Sequence, residues 1–114
     1  MKDRDIRDYL QDILEAITDI ENFVANITYE EFVRDKKTLN AVVRSIEIIG
    51  EASKNLPGPL KTKYAELPWK EIAGMRDKLI HAYFGMDTET IWQTIKNNIP
   101  RLKQTIQKIE KDQE

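Results

Sequence analysis

The chain has 114 residues, 40% of them hydrophobic and 33% charged, with a net charge of −2, no cysteine and a single histidine. That is enough for one domain spanning 1–114 with a buried core, but it excludes a disulfide framework, thiolate metal sites, a cysteine nucleophile and a multi-histidine metal site within one chain. No apolar run approaches the roughly 20 residues that cross a bilayer, and the charged opening MKDRDIRDYL lacks the apolar stretch of a secretory signal, so a cytoplasmic protein without membrane contact is expected.

Charge is unevenly spread. Residues 1–35 hold four Lys/Arg against ten Asp/Glu, a balance of −6, and residues 36–114 hold fourteen against ten, a balance of +4. Solvated helix faces account for such runs, although a mildly basic remainder leaves room for a local positive surface.

Helical periodicity dominates. Ile6, Tyr9, Leu10, Ile13, Leu14, Ile17, Ile20 and Val24 recur at steps of three and four, which predicts a first amphipathic helix over about 4–26. A short helical turn is expected near Tyr29–Val33. A second long helix is predicted from about Asp35 to Leu56, with Leu39, Val42, Val43, Ile46 and Ile49 inward and Gly50 within the stripe. A glycine there costs helix stability, and close approach of another helix is its expected reason. Pro57-Gly58-Pro59 ends this helix, and 60–67 reads as a loop or single turn. A third helix is predicted over about Pro68–Tyr83, stopped by Gly85. A fourth, capped by Asp87 or Thr88, carries Ile91, Ile95, Ile99, Leu102, Ile106 and Ile109, with a kink at Pro100. The fold class is therefore all-α, an up-and-down four-helix bundle with room for an extra short helix.

Polar chemistry concentrates in Met75-Arg76-Asp77-Lys78-Leu79-Ile80-His81-Ala82-Tyr83. If the helix is continuous, Arg76 and Tyr83 share one face and Asp77 and His81 the next. Arg76 and His81 then lie about 140° apart around the helix, an offset that a long guanidinium can bridge. Arg44, Glu47 and Glu51 flank the apolar stripe of the second helix, where Glu47 or Glu51 could hold Arg76 through a bidentate pair. By composition and spacing alone, each of these is read first as a helix-end dipole contact, a surface ion pair or a structural carboxylate. Trp69 and Trp92 read as core or interface anchors.

These segments resemble a known family. Arg76, four residues, then His81-Ala82-Tyr83 is similar to the R-x4-H-x-Y pattern of HepT-like toxins of the HEPN superfamily. The resemblance extends through Arg44-Ser-Ile-Glu47-Ile-Ile-Gly50-Glu51-Ala52, Pro68-Trp69, Gly74-Met75-Arg76-Asp77 and Ile91-Trp92, and covers about 5–110. It implies an all-α bundle paired as a two-fold homodimer, and a cofactor-free, metal-independent endoribonuclease that cuts RNA and not DNA. Arg76 and His81 would be its catalytic pair, with Asp77, Glu47, Glu51 and Arg44, picked out above by their spacing, as supporting residues. It further implies the toxin role in a bacterial type VII toxin–antitoxin pair, with an MntA-like minimal nucleotidyltransferase as antitoxin and Tyr83 as the acceptor of AMP. The residue after the motif arginine is often asparagine in the family; here it is Asp77, which keeps polarity and adds a negative charge.

The chemistry asks for such residues. Attack of a ribose 2′-OH on the adjacent phosphorus needs a base, an acid and a cation for the phosphorane charge. A lone histidine cannot be acid and base in one step; a two-fold pair of chains could supply the second, or one histidine with water could suffice with slower turnover. Two readings remain beside the enzyme: a catalytically inactive HEPN module serving as partner or substrate-binding subunit of a nucleotidyltransferase, and an interaction bundle without chemistry.

Overall fold

A computed structural model describes residues 4–81 and 85–114, and at 80, 81, 85 and 86 it describes the backbone. Among the described residues the chain is all-α apart from one pair of two-residue strands. Its order is α1 (Ile6–Phe23), α2 (Tyr29–Arg34), α3 (Lys36–Lys54), α4 (Gly58–Lys63), α5 (Trp69–Ala73), α6 (Met75–Leu79), β1 (Ile80–His81), β2 (Gly85–Met86), α7 (Thr88–Gln93), a π-helical turn (Thr94–Asn98) and α8 (Ile99–Asp112).

The helix starts are chemically marked. Asp5 accepts from the Arg7 amide at 3.0 Å while Asp8 accepts from the Asp5 amide at 3.0 Å, a reciprocal cap on α1. Thr28 and Glu31 repeat the device on α2. The chain reaches α2 through Asn26, whose φ of 61° is a left-handed turn that asparagine tolerates. Asp35 caps α3 by accepting from the Thr38 amide at 3.0 Å and the Thr38 hydroxyl at 2.5 Å. Of the two expected candidates, Asp87 and Thr88, it is Asp87 that caps α7, accepting from the Thr90 amide at 3.0 Å.

α1 lies along α3, and α8 packs on α1. Leu10, Ile13, Ile17, Ile20, Val42, Ile49, Ile106 and Ile109 are wholly buried between them, which is the stripe that the periodicity predicts. On its other side α3 meets α5 and α6. Gly50 makes that contact possible: a Cβ at this position would lie 3.1 Å from the Ala73 carbonyl oxygen. Tyr64, just after α4, pins the end of α8 by donating its hydroxyl to Asp112 at 2.5 Å, and Trp69 donates its indole N–H to the Tyr64 carbonyl at 3.0 Å.

The single turn that 60–67 allowed is present as the end of α4 (Gly58–Lys63), whose start Pro57 and Pro59 suit. Two expectations need correction. Pro100 does not kink a continuous helix. It sits in the first turn of α8, immediately after the π-helical turn, which takes up the distortion where proline has no N–H to give. The largest departure concerns the third helix. It breaks at Gly74 and ends at Leu79, and the chain turns into a short antiparallel pair with Ile80 opposite Met86 and His81 opposite Gly85. The Leu79 carbonyl accepts from the Asp87 amide at 3.0 Å, so it closes this hairpin in place of capping a helix. A five-residue helix has little cooperativity to resist such pairing.

Candidate active site

The site is built on the contact between α3 and α6. Gly50 draws α3 onto the backbone of Ala73, and Gly74 ends α5 there by donating its N–H to the Lys70 carbonyl at 3.1 Å. α6 then begins at Met75, with Arg76 alongside α3. Its Nε lies 3.4 Å from Glu47 Oε1 and its Nη1 3.6 Å from Asp77 Oδ1. Glu47 also faces Arg44, whose Nη1 is 3.8 Å from the other carboxylate oxygen. Glu47 thus bridges two arginines.

Exposure separates the roles of these groups. The Glu47 side chain is 29% exposed, Arg76 52% and Asp77 85%. Ion pairs so open to solvent contribute little to stability. Their effect is geometric: a half-buried carboxylate on α3 holds the Nε edge of the guanidinium and Asp77 stands by Nη1, while the side chain stays 52% exposed. The bidentate pair is not formed, since only Nε of Arg76 meets Glu47. Glu51 does not take part. One turn further along α3 and about 40° further round, it pairs with Lys54 at 3.4 Å.

Arg76, Asp77, Glu47 and Arg44 are therefore brought together, and Glu51 is not. His81 leaves the helix that was expected to carry it and stands on β1, paired with Gly85, so the helical offset between Arg76 and His81 does not apply. Tyr83, the expected AMP acceptor, lies outside the described residues. Among the described residues no group of three or more His, Asp or Glu is placed to hold a metal ion, and no helix is long and apolar enough to cross a membrane.

A second feature escaped the sequence reading. On the other flank of α6, a groove of about 310 Å³ runs between α5–α6 and the π-helical turn with the start of α8. No periodicity announces a π-helical turn, and the groove depends on it.

Comparison with known proteins decides the family. The model of the HepT-like ribonuclease family matches residues 13–109, most of the chain and the whole R-x4-H-x-Y segment. The chain belongs to the HepT-like ribonuclease family. Three relatives match it almost end to end. A protein of Thermococcus cleftensis named as a probable ribonuclease HepT is 55% identical over 108 residues, 95% of this chain and 98% of its own. A protein of Methanocaldococcus jannaschii, provisionally named an RNase, is 53% identical over 112 residues, 98% of this chain and 93% of its own. One from Caldanaerobacter subterraneus, named in the same way, is 50% identical over 103 residues, 90% of this chain and 92% of its own. No solved structure matches the chain at a significant level.

Proposed function

We propose that this HepT-like chain is a cytoplasmic, metal-independent endoribonuclease acting as the toxin of a type VII toxin–antitoxin pair. The observation that carries the proposal is the exposed Arg76 guanidinium, held along one edge by Glu47 and followed directly by the hairpin that bears the chain's single histidine, His81.

In this reading the half-exposed Arg76 offers N–H donors that Glu47 does not hold to the scissile phosphate and stabilises the charge that develops on the phosphorane. The 2′-OH gives its proton to the imidazole of one His81 and attacks phosphorus. The bond to the 5′-oxygen breaks, and that oxygen takes a proton from a second His81, protonated beforehand and supplied by a two-fold partner. The products are a 2′,3′-cyclic phosphate and a 5′-hydroxyl. DNA lacks the attacking group. An imidazole suits both roles near neutral pH, with a reference pKa of about 6.5. Asp77, 3.6 Å from Arg76, competes with phosphate for the same guanidinium and moderates substrate affinity.

Control follows from the same charge logic. A minimal nucleotidyltransferase antitoxin would transfer AMP from ATP to the Tyr83 hydroxyl, releasing pyrophosphate and placing a phosphodiester anion in the motif to compete for Arg76.

The test is cleavage of single-stranded RNA by the purified chain in excess EDTA, with end-group analysis. Cyclic phosphate ends from the wild type, lost in Arg76→Ala and in His81→Ala, are the expected result. Wild-type protein without cleavage sinks the enzyme reading in favour of a non-catalytic partner subunit of a nucleotidyltransferase, for which the crowding of Arg76 by two carboxylates is the supporting observation. Tyr83→Phe should remain active and escape silencing by the antitoxin with ATP. Covalent AMP on that variant refutes the assignment of the acceptor.

A further inference from the structure

The groove beside α6 has the make-up of a ligand site. Leu79, Ile99 and Leu102 form an apolar floor and are all buried. Lys78 from α6 and Arg101 from α8 stand at its rim, exposed, and neither makes an ion pair among the described residues. Glu71 is the only carboxylate lining it among those residues. Asn98, at the end of the π-helical turn, also lines it, and π-helical turns recur where proteins bind ligands.

We infer that this groove seats one nucleobase of a single-stranded RNA, with the phosphates flanking that base held by Lys78 and Arg101. The inference rests on the ribonuclease reading above and adds to it a subsite away from Arg76. Volume supports it: about 310 Å³ is at the small end of ligand pockets, which run from about 300 to 1,000 Å³, so it suits a ring system better than a docked helix about 10 Å wide. Charge supports it as well. An apolar floor between two cations that make no ion pair among the described residues complements a flat base between two anions, the pattern by which single strands are gripped. The Asn98 amide has both a donor and an acceptor for a base edge. The groove and the Arg76 guanidinium lie on different flanks of α6, so a strand crossing this short helix would engage both.

The experiment pairs cleavage kinetics on a fluorescent RNA oligonucleotide with equilibrium binding of its 2′-O-methyl counterpart, which cannot be cleaved. Arg101→Gln and Lys78→Gln should each weaken binding about threefold to tenfold, acting on KM more than on kcat. Each should also reduce the slope of log Kd against log salt by about 0.7, the loss of one phosphate contact on a single strand. Arg101→Lys should restore most of the affinity, and Asn98→Ala should alter the ranking of homopolymer substrates. Wild-type affinity and salt slope in both glutamine variants overturn the groove and leave the ribonuclease reading standing. Arg101-dependent binding by a wild-type chain that never cleaves supports the groove and overturns the ribonuclease reading.

Discussion

The α1–α3–α8 face and the α5–α6–β1–β2 edge are held by different physics. Along the first, long helices interlock wholly buried side chains such as Leu10, Ile13, Ile17 and Ile106, and burial of each is worth about 1.5–3 kcal/mol. Along the second, two five-residue helices and a pair of two-residue strands carry Arg76, Asp77 and Lys78 on the surface, with Leu79 as the buried residue of α6. The bundle supplies stability and the edge presents charge. Such a division lets a chemical group sit on a thinly stabilised segment without jeopardising the fold.

That contrast can be broken by substitutions that should affect one region only. Arg76→Ala should reduce RNA cleavage by about 10²–10⁴-fold and shift the melting temperature by little, since the side chain is 52% exposed. Kinetics and thermal melts on one preparation check this, and a large melting shift would make Arg76 structural. Ile13→Ala, at a wholly buried position on α1, should cost about 2–5 kcal/mol in a denaturant titration while cleavage per folded molecule holds. Loss of specific activity there would mean that the two regions are not separate.

Gly50→Ala probes the seam between them. Alanine favours a helix over glycine by about 1 kcal/mol, yet the new Cβ would press on the Ala73 carbonyl at 3.1 Å. Because that atom is backbone, α5 must move, and cleavage should fall about tenfold as the Glu47–Arg76 register shifts. A variant that is more stable and fully active would show that the close approach is not needed by the site.

The smallest effect concerns pH. The hydrogen bond to Asp112 pushes the Tyr64 hydroxyl up to about 12 from its ordinary value near 10. A raised folded-state value means that the stabilisation is whole below about pH 10 and is lost as pH climbs through 12. Thermal melts across that window should show the loss in wild type and a flatter response in Tyr64→Phe.

Much of this architecture was legible residue by residue. The stripe from Ile6 to Val24 predicted α1, the position of Gly50 predicted a close backbone approach, and Asp87 was recognisable as a cap. The third helix was not. From Met75 to Phe84 no residue forbids a helix, so local propensity runs through His81, whereas the chain leaves the helix at Leu79. Both Glu47 and Glu51 were candidates for Arg76, and 40° of helix rotation with one turn of rise separates them, too fine a difference for a helical wheel to settle before the angle between α3 and α6 is known.

Sequence alone determined the helical class, the inward faces of the long helices, a cap at Asp87 or Thr88 and the set of residue types available for chemistry, because those depend on neighbours within about four positions. Tertiary structure decided which carboxylate meets Arg76, where the third helix stops, and that a groove opens beside the π-helical turn. These depend on how separate helices approach one another, and contacts made across distant parts of the chain outweigh a propensity of a few tenths of a kcal/mol per residue.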